Sequence, residues 1–103
     1  MIVTFEEEYL QELYKKGKTT DKKYRFQPEV IDGYIKGIYK LEISDKIEDL
    51  FKYKSLNYEI LKGKKKGISS IRATKKYRIE FTVKDDGVDP IITICNILEL
   101  SKQ

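Results

Sequence analysis

A chain of 103 residues has room for one domain with a single hydrophobic core, but not for a separate regulatory domain. Its aromatic content of 12% excludes a chain that is disordered throughout. The single Cys95 excludes an internal disulfide, and the lack of histidine removes the commonest general base and metal ligand. We therefore predict one domain over residues 1–103, with no metal and no small-molecule cofactor.

The beginning of the chain, MIVTFEEEYLQ, is acidic and lacks the basic and then apolar order of a signal peptide. No apolar run approaches the roughly 18 residues that a membrane-spanning helix needs. Together with the lone Cys95, these features predict a cytoplasmic protein with no membrane partner.

The first predicted elements are a short strand and a helix. Residues 2–5 are β-branched or aromatic, which is typical of a strand. Apolar side chains then recur at helical spacing. We expect Thr4 to cap this helix, with Glu7 three residues later, and Gly17 to end it.

The clearest predicted helix begins at Pro28, a residue that suits the first helical turn. Gly33 and Gly37 lie four residues apart within it. Because each costs helix stability relative to alanine, we expect the pair to allow close approach to the first helix. Ser44 or Asp45 is expected to cap a short turn beyond the helix.

The hydrophobic period then changes from about 3.6 to about 2, which indicates strands. Asp85-Asp86-Gly87 is a strong turn signal before the last of them. That last strand is nearly all apolar, so we expect both of its faces to be covered. Helices grouped on one face of a mostly antiparallel sheet predict an α+β fold. The connection from the first strand through the helices allows one parallel neighbour. The four predicted strands span residues 56–62, 68–74, 77–84 and 91–98.

Positive charge is concentrated in one stretch of the chain. Residues 60–79 carry eight basic and no acidic side chains, for +8, whereas the whole chain sums to +4. Such a concentration is the electrostatic footprint of a protein that binds RNA, DNA or an acidic partner. The alternative interpretation is a solvated, lysine-rich loop.

Several segments resemble toxins of the RelE/ParE superfamily, most closely the HigB-like branch of bacterial toxin–antitoxin systems. The strand and helix order matches that fold over residues 1–41, and the specific motifs lie within residues 50–97. The resemblance implies a toxin that cuts mRNA in the ribosomal A site and that a cognate antitoxin holds inactive. The matching segments are LNYEILKG (56–63), GKKKGISSIRAT (63–74), KYRIEF (76–81) and ITICNI (92–97).

The SIR and YRI motifs indicate catalytic residues. Arg72 and Arg78 are each expected to lie opposite core residues, so a hairpin would place both on one face, where they could grip the scissile phosphate. RNA cleavage without metal ligands uses the 2′-OH as nucleophile and needs cations for the developing charge. Glu59 and Glu80 are the possible carboxylate bases, and Glu80, on the same predicted face as Arg78, is the better candidate. The alternative is that each arginine forms a surface ion pair, for example with Glu80.

The lysines near these motifs are predicted to bind RNA phosphate groups. Gly63 and Gly67 flank the first lysine cluster and would let its backbone approach a polyanion. Tyr58 and Tyr77 could stack on bases, but their alternation with polar residues favours core positions. The alternative for the lysines is an ordinary charged turn. The RNA-binding candidates are Lys62, Lys64, Lys65, Lys66, Lys75 and Lys76.

The chain departs from the HigB-like pattern at its end. Such toxins commonly finish the last strand with Asp-Tyr-His, whereas this chain has Asn96, Ile97 and Leu98. An amide cannot carry a proton as a carboxylate does. Three explanations stay open. Other groups supply the proton transfers, Glu99 replaces a lost group in a shifted register, or the chain has lost its activity.

Three functions therefore stay open from the sequence. The first is a ribosome-dependent mRNA endoribonuclease, whose partners are mRNA on the ribosome and a cognate antitoxin. The second is a ParE-like toxin that binds DNA gyrase. The third is a member of the superfamily that binds its antitoxin without catalysis. A fold shared by all three cannot decide among them.

Overall fold

The computed structural model describes residues 1–85 and 87–100. Asp86, in the middle of the predicted Asp-Asp-Gly turn, lies outside the described residues. Short 3-10 helices span Ile47–Lys52, Lys54–Leu56 and Gly63–Lys65. The longer elements, in chain order, are β1 (Ile2–Phe5), α1 (Glu8–Lys16), α2 (Pro28–Ile43), β2 (Glu59–Ile60), β3 (Ser69–Arg72), β4 (Tyr77–Lys84) and β5 (Ile91–Glu99).

The strands form one sheet in the order β1-β5-β4-β3-β2. β1 runs parallel to β5, and the other neighbours are antiparallel. After β1, helices α1 and α2 carry the chain across the sheet to β2 at the opposite edge, and the last strand, β5, returns to pair with β1. A long crossing connection of this kind allows two strands to run parallel. The predicted α+β fold with a helical hairpin and mostly antiparallel strands is confirmed, and β5 is the parallel neighbour that the connection allowed.

The hydrophobic core lies between the helices and one face of the sheet. The Tyr34 hydroxyl, buried in this core, donates a hydrogen bond of 2.7 Å to the Leu10 carbonyl and so connects α2 to α1. An unpaired hydroxyl at that depth would be costly. None of the helices within residues 1–85 and 87–100 is long and apolar enough to span a membrane. The most completely buried apolar residues are Leu10, Leu13, Tyr34, Ile38, Leu41, Leu50, Ile71, Ile79, Phe81, Ile92 and Ile94.

The beginning of α1 differs from the prediction, although its end does not. Thr4 lies within β1, and its hydroxyl is hydrogen-bonded to the Thr93 hydroxyl at 2.9 Å instead of capping the helix. Pairing with β5 continues to Phe5, so the helix begins only at Glu8. Gly17 ends α1 in the left-handed conformation, at φ 73°, as its position predicts.

The two glycines of α2 approach the sheet, not α1. A Cβ atom added to Gly33 would lie 2.1 Å from the Ala73 carbonyl oxygen, just beyond β3. A Cβ atom on Gly37 would lie 3.0 Å from the end of the Ile79 side chain. The predicted approach to the first helix is therefore wrong, because the face of α2 that carries the glycines covers β3 and β4.

The expected caps after α2 are also wrong. The Ser44 hydroxyl donates to the Lys40 carbonyl, at 2.7 Å, within the last turn of α2. The capping group of the following 3-10 helix is the Asp49 carboxylate, which accepts hydrogen bonds from the backbone N–H groups of Asp45 and Lys46. The capping acceptor therefore comes from inside the helix instead of from its first residue.

The strands match their predictions unequally. β4 has the predicted bounds, but the strand predicted at residues 56–62 shrinks to Glu59–Ile60 because Asn57 is left-handed, at φ 44°.

The expectation that both faces of β5 are covered is wrong, since buried Ile92 and Ile94 alternate with partly exposed residues. Within residues 1–85 and 87–100, the helices pack on one face of the sheet and leave the other face uncovered.

Candidate functional site

Arg72 and Arg78 lie directly opposite each other on neighbouring strands. They are paired in the antiparallel register of β3 and β4, next to the fully buried pair Ile71 and Ile79. Because successive side chains of a strand point to opposite faces, both arginines lie on the sheet face away from the helices. The structure thus brings the two residues together on one face, as the alternation predicts.

Three hydrogen bonds hold the Arg78 guanidinium. Its Nε donates to the Ser70 hydroxyl at 2.8 Å, and one terminal nitrogen, Nη2, donates to the Ser70 carbonyl at 3.2 Å and to the Asn57 carbonyl. Ser70 is 1% exposed, so its position is fixed by the packing of β3. Within residues 1–85 and 87–100, the other terminal nitrogen of Arg78 has no acceptor and can donate to a ligand.

Arg72 is held much more loosely. Its Nε donates to the Thr74 carbonyl at 3.3 Å, and the described part of the chain offers its two terminal nitrogens no acceptor. The side chain is partly exposed. The planar end of Arg72 is thus free to bind a phosphate through two parallel hydrogen bonds.

Glu80 is enclosed on the same sheet face, two residues after Arg78. Glu80 is 6% exposed, and the Lys65 ammonium lies 2.7 Å from one of its carboxylate oxygens. The Asn96 amide donates to the other carboxylate oxygen at 3.2 Å. The ion pair of Glu80 is therefore with a lysine of the basic turn and not with an arginine.

A bulge in β5 positions Asn96 for this contact. Glu80 is paired with Asn96 and Phe81 with Ile94, so Cys95 is the extra residue. A bulge of this kind shifts the alternation by one residue and re-aims the side chains beyond it. As a result Asn96 lies on the polar face, and Ile97, which is 7% exposed, returns to the core.

The candidate RNA-binding lysines form two exposed groups at opposite ends of β3. Lys62, Lys64, Lys65 and Lys66 lie in and beside the 3-10 turn that precedes β3, whereas Lys75 and Lys76 lie in the turn that follows it. A strand of four residues separates the groups by roughly 13 Å. The second group is the one next to Arg72 and Arg78.

Tyr58 and Tyr77 pack against the core. The Tyr58 ring is stacked over Phe81, with centroids 6.3 Å apart, and its hydroxyl is hydrogen-bonded to Ser69. Tyr77 meets the edge of Phe26 at 6.0 Å. These contacts favour the core interpretation over base stacking for both tyrosines.

Sequence reasoning missed two of the groups that shape the site. Alternation along β3 would have placed Ser70 on the face of Arg72, and a serine among larger side chains was the available signal. The Asn57 carbonyl carried no such signal, because a backbone oxygen reaches Arg78 only through the left-handed turn at that residue.

Comparison with known proteins identifies the family of this chain. A model of the family described as the RelE-like toxin of type II toxin-antitoxin system HigB matches residues 3–92. The chain belongs to this HigB-like toxin family. A HigB-like protein is the toxin of a type II toxin–antitoxin system, and its partner is an antitoxin.

A solved structure shares the fold of this HigB-like toxin. The YoeB/ParE toxin from Agrobacterium tumefaciens superposes with a TM-score of 0.55 over 98% of this chain and 100% of its own, at 16% sequence identity. At that identity the likeness shows the fold alone. A comparison with curated proteins finds no match.

Proposed function

We propose that this HigB-like toxin is a metal-independent endoribonuclease that cuts mRNA on the ribosome. The observation that supports the proposal is the pairing of Arg72 with Arg78 on the uncovered face of the sheet, beside the exposed Lys75 and Lys76. A surface with four cations and free guanidinium N–H groups suits the phosphate backbone of a single RNA strand. Translation takes place in the cytoplasm, so the proposal also places the toxin there.

The chemistry proposed is an attack by the substrate's own 2′-OH on the neighbouring phosphate. The bond from the 2′-oxygen to phosphorus forms while the bond to the 5′-oxygen of the next nucleotide breaks, which leaves a 2′,3′-cyclic phosphate and a 5′-hydroxyl whose proton comes from water. Negative charge develops on the phosphate oxygens in the transition state, and donors held in advance stabilise it. Arg72 offers both terminal nitrogens and Arg78 offers one. The Ser70 and Asn57 contacts hold Arg78 in place before the substrate arrives, which lowers the cost of ordering it.

Glu80 is the proposed base for the 2′-OH. It lies on the same face as Arg78, and the Lys65 ammonium lies 2.7 Å from one of its carboxylate oxygens. The Lys65 side chain is 48% exposed, so an RNA phosphate can compete for its ammonium. In this proposal, Glu80 accepts the proton of the 2′-OH after the Lys65 ammonium has moved from Glu80 to an RNA phosphate.

The antitoxin is proposed to cover the group of lysines in the basic turn before β3. An acidic segment would pair with Lys62, Lys64 and Lys66, which are exposed in the turn before β3. Cover of this kind would make the lysines of that turn inaccessible to RNA.

A second candidate is a family member that binds RNA and antitoxin without cutting. The observation that favours it is Asn96, whose amide donates to Glu80 where the family pattern has a carboxylate able to carry a proton. Neighbouring Ile97 and Leu98 are apolar. They offer neither an acid nor a base.

Induced expression in bacteria tests the proposal. Growth and the 5′ ends of mRNA are compared for the wild type, the double variant Arg72→Ala/Arg78→Ala, and a control, Lys23→Ala/Arg25→Ala. The control also removes two positive charges, but from the exposed connection between α1 and α2.

We expect growth arrest with cuts at codon spacing for the wild type and the control, and no cuts for the double variant. Growth arrest with intact mRNA would contradict the proposal and direct attention to gyrase. Normal growth and intact mRNA with the wild type would favour the second candidate.

A further inference from the structure

An aromatic recess opens beside Arg78 at the end of the sheet that carries β2. Its volume is about 380 Å³, which reaches the lower range of small-ligand sites. No acidic side chain is among the described residues that line it. The lining residues, called here the aromatic recess, are Leu50, Phe51, Tyr53, Lys54, Asn57 and Tyr58.

Contacts hold the Tyr58 and Tyr53 rings of the aromatic recess in place, whereas the Phe51 ring is exposed. Tyr58 is stacked over Phe81, and the Lys40 ammonium lies 5.5 Å from the centre of the Tyr53 ring. Phe51 meets Tyr58 edge-on, at 5.2 Å and 76°, and is 63% exposed. Phe51 therefore offers a ring face to a ligand at a position set by its rigid neighbours.

The aromatic recess adjoins the proposed phosphate site through Asn57. Asn57 lines it, and the carbonyl of the same residue accepts the hydrogen bond from Arg78. Lys54 adds a cation to its wall, and Lys40 lies over Tyr53. An aromatic surface bordered by cations suits a nucleotide, which presents a flat base and a phosphate next to each other.

We propose that the aromatic recess binds an unpaired base of the RNA strand whose phosphate lies at Arg72 and Arg78, and that this base stacks on Phe51. The inference rests on the proposed function for its phosphate site. It gives Phe51 the role of a base-binding residue and makes the unit recognised a nucleotide instead of a bare phosphate. The Lys54 cation in the wall of the recess favours RNA over an apolar protein segment, which would gain nothing from it.

Binding of a short, fluorescently labelled single-stranded RNA tests this inference. Its riboses carry 2′-O-methyl groups so that it is not cut, and fluorescence anisotropy gives the affinity for the free toxin. We expect Phe51→Ala to weaken binding roughly fivefold to a hundredfold, the loss of one stacked base. Phe51→Trp should restore binding. Tyr39→Ala should leave it unchanged, because that tyrosine is an equally exposed aromatic (57%) on α2.

The possible results separate this inference from the proposed function. Equal affinities of Phe51→Ala and wild type, with weaker binding by Arg72→Ala, would overturn the base site and leave the phosphate site standing. Weaker binding by Phe51→Ala with no effect of Arg72→Ala would support the base site and contradict the phosphate site. A loss of antitoxin affinity with unchanged RNA affinity would overturn the inference and make the recess a protein contact. If the wild type bound no RNA, the inference would fail, and the proposed function would then be tested by the cleavage experiment alone.

Discussion

The Lys65 ammonium lies 2.7 Å from a carboxylate oxygen of Glu80, whose side chain is only 8% exposed. Lys65 belongs to the exposed basic turn and Glu80 to the middle of β4, so the ion pair connects the turn to the sheet. Asn96 satisfies the second carboxylate oxygen. A carboxylate buried to this extent needs such partners, since an uncompensated buried charge is strongly destabilising.

Removing the lysine should therefore destabilise the fold. We expect Lys65→Ala to lower the free energy of unfolding by about 1–3 kcal/mol, less than for a fully buried pair because Lys65 is half-exposed. Urea unfolding at neutral pH measures the loss.

A matched control is Lys64→Ala, from the same turn, whose lysine is exposed and forms no ion pair among the described residues. It should change stability by less than about 0.5 kcal/mol. Adding Glu80→Gln to Lys65→Ala should recover most of the loss, because the amide needs no counterion and can still accept from Asn96. Equal stabilities of Lys65→Ala and Lys64→Ala would show that the ion pair contributes nothing.

The two arginines should differ in what their loss does to the fold. Arg78→Ala removes hydrogen bonds to Ser70 and Asn57, so we expect a loss of about 1–3 kcal/mol in the free energy of unfolding. Arg72→Ala removes one long bond to Thr74 and should cost less than about 1 kcal/mol. Both should abolish mRNA cuts.

Urea unfolding and 5′-end mapping of the two single variants provide the measurements. A variant Arg78→Lys retains the charge but cannot reach three acceptors, so it should stay less stable than Arg72→Lys. If Arg72→Ala and Arg78→Ala were equally destabilised, the hydrogen bonds of Arg78 would not be what distinguishes it.

The sequence predicted best those elements whose pattern is local and unbroken. β4 alternates apolar and polar residues over its full length, and its bounds agree with the structure. The short β2 could not be foreseen, because the left-handed Asn57 interrupts a segment that otherwise resembles a strand. Gly33 and Gly37 predicted close packing correctly, but the surface they contact depends on how α2 crosses the sheet, which no local pattern contains.

The same limit applied to the candidate site. Positions set by local alternation were predictable, whereas contacts set by the path of the chain were not. Alternation alone placed Arg72 and Arg78 on one face of a hairpin. The contact between Lys65 and Glu80 depends on the path by which the basic turn folds back over the sheet. The contact between Asn96 and Glu80 depends on the bulge in β5, and an apolar run such as ITICNIL gives no sign of where an extra residue is accommodated.

The packing of α2 on the sheet yields a further prediction. Gly33→Ala would bring a methyl group within 2.1 Å of the backbone carbonyl of Ala73, which cannot move without displacing the β3–β4 hairpin. We expect a loss of about 3 kcal/mol or more in the free energy of unfolding. Thermal or urea unfolding measures it.

Gly37→Ala is the matched comparison within the same helix. Its methyl group would meet only the ends of the Ile79 and Ile71 side chains, at 3.0 and 3.2 Å, and these can turn aside. Alanine also favours the helix by up to about 1 kcal/mol, so the net change should be small. Losses of equal size at the two positions would argue against the close backbone contact at Gly33.

The last prediction concerns the thiol of Cys95 at the bulge of β5. Burial, with a contribution from the Glu6 carboxylate, raises the pKa of this thiol from 9.0 to about 11. Because only the thiolate is nucleophilic, iodoacetamide at pH 8 should react with the folded protein on the order of a hundredfold more slowly than with the urea-unfolded chain. The rate on the folded protein should keep rising until the pH approaches 11. Glu6→Gln should lower the pKa and speed the reaction of the folded protein alone.

The same shift has a consequence for stability. The folded state holds the thiol proton more tightly than the unfolded state, so this contribution is complete below pH 9 and is lost as the pH rises through about 11. A variant Cys95→Ser, which does not titrate in this range, should lose less stability than the wild type between pH 9 and pH 11. Parallel stability curves for the two proteins, or equal alkylation rates of the folded and unfolded wild type at pH 8, would contradict a partly buried thiol with a raised pKa.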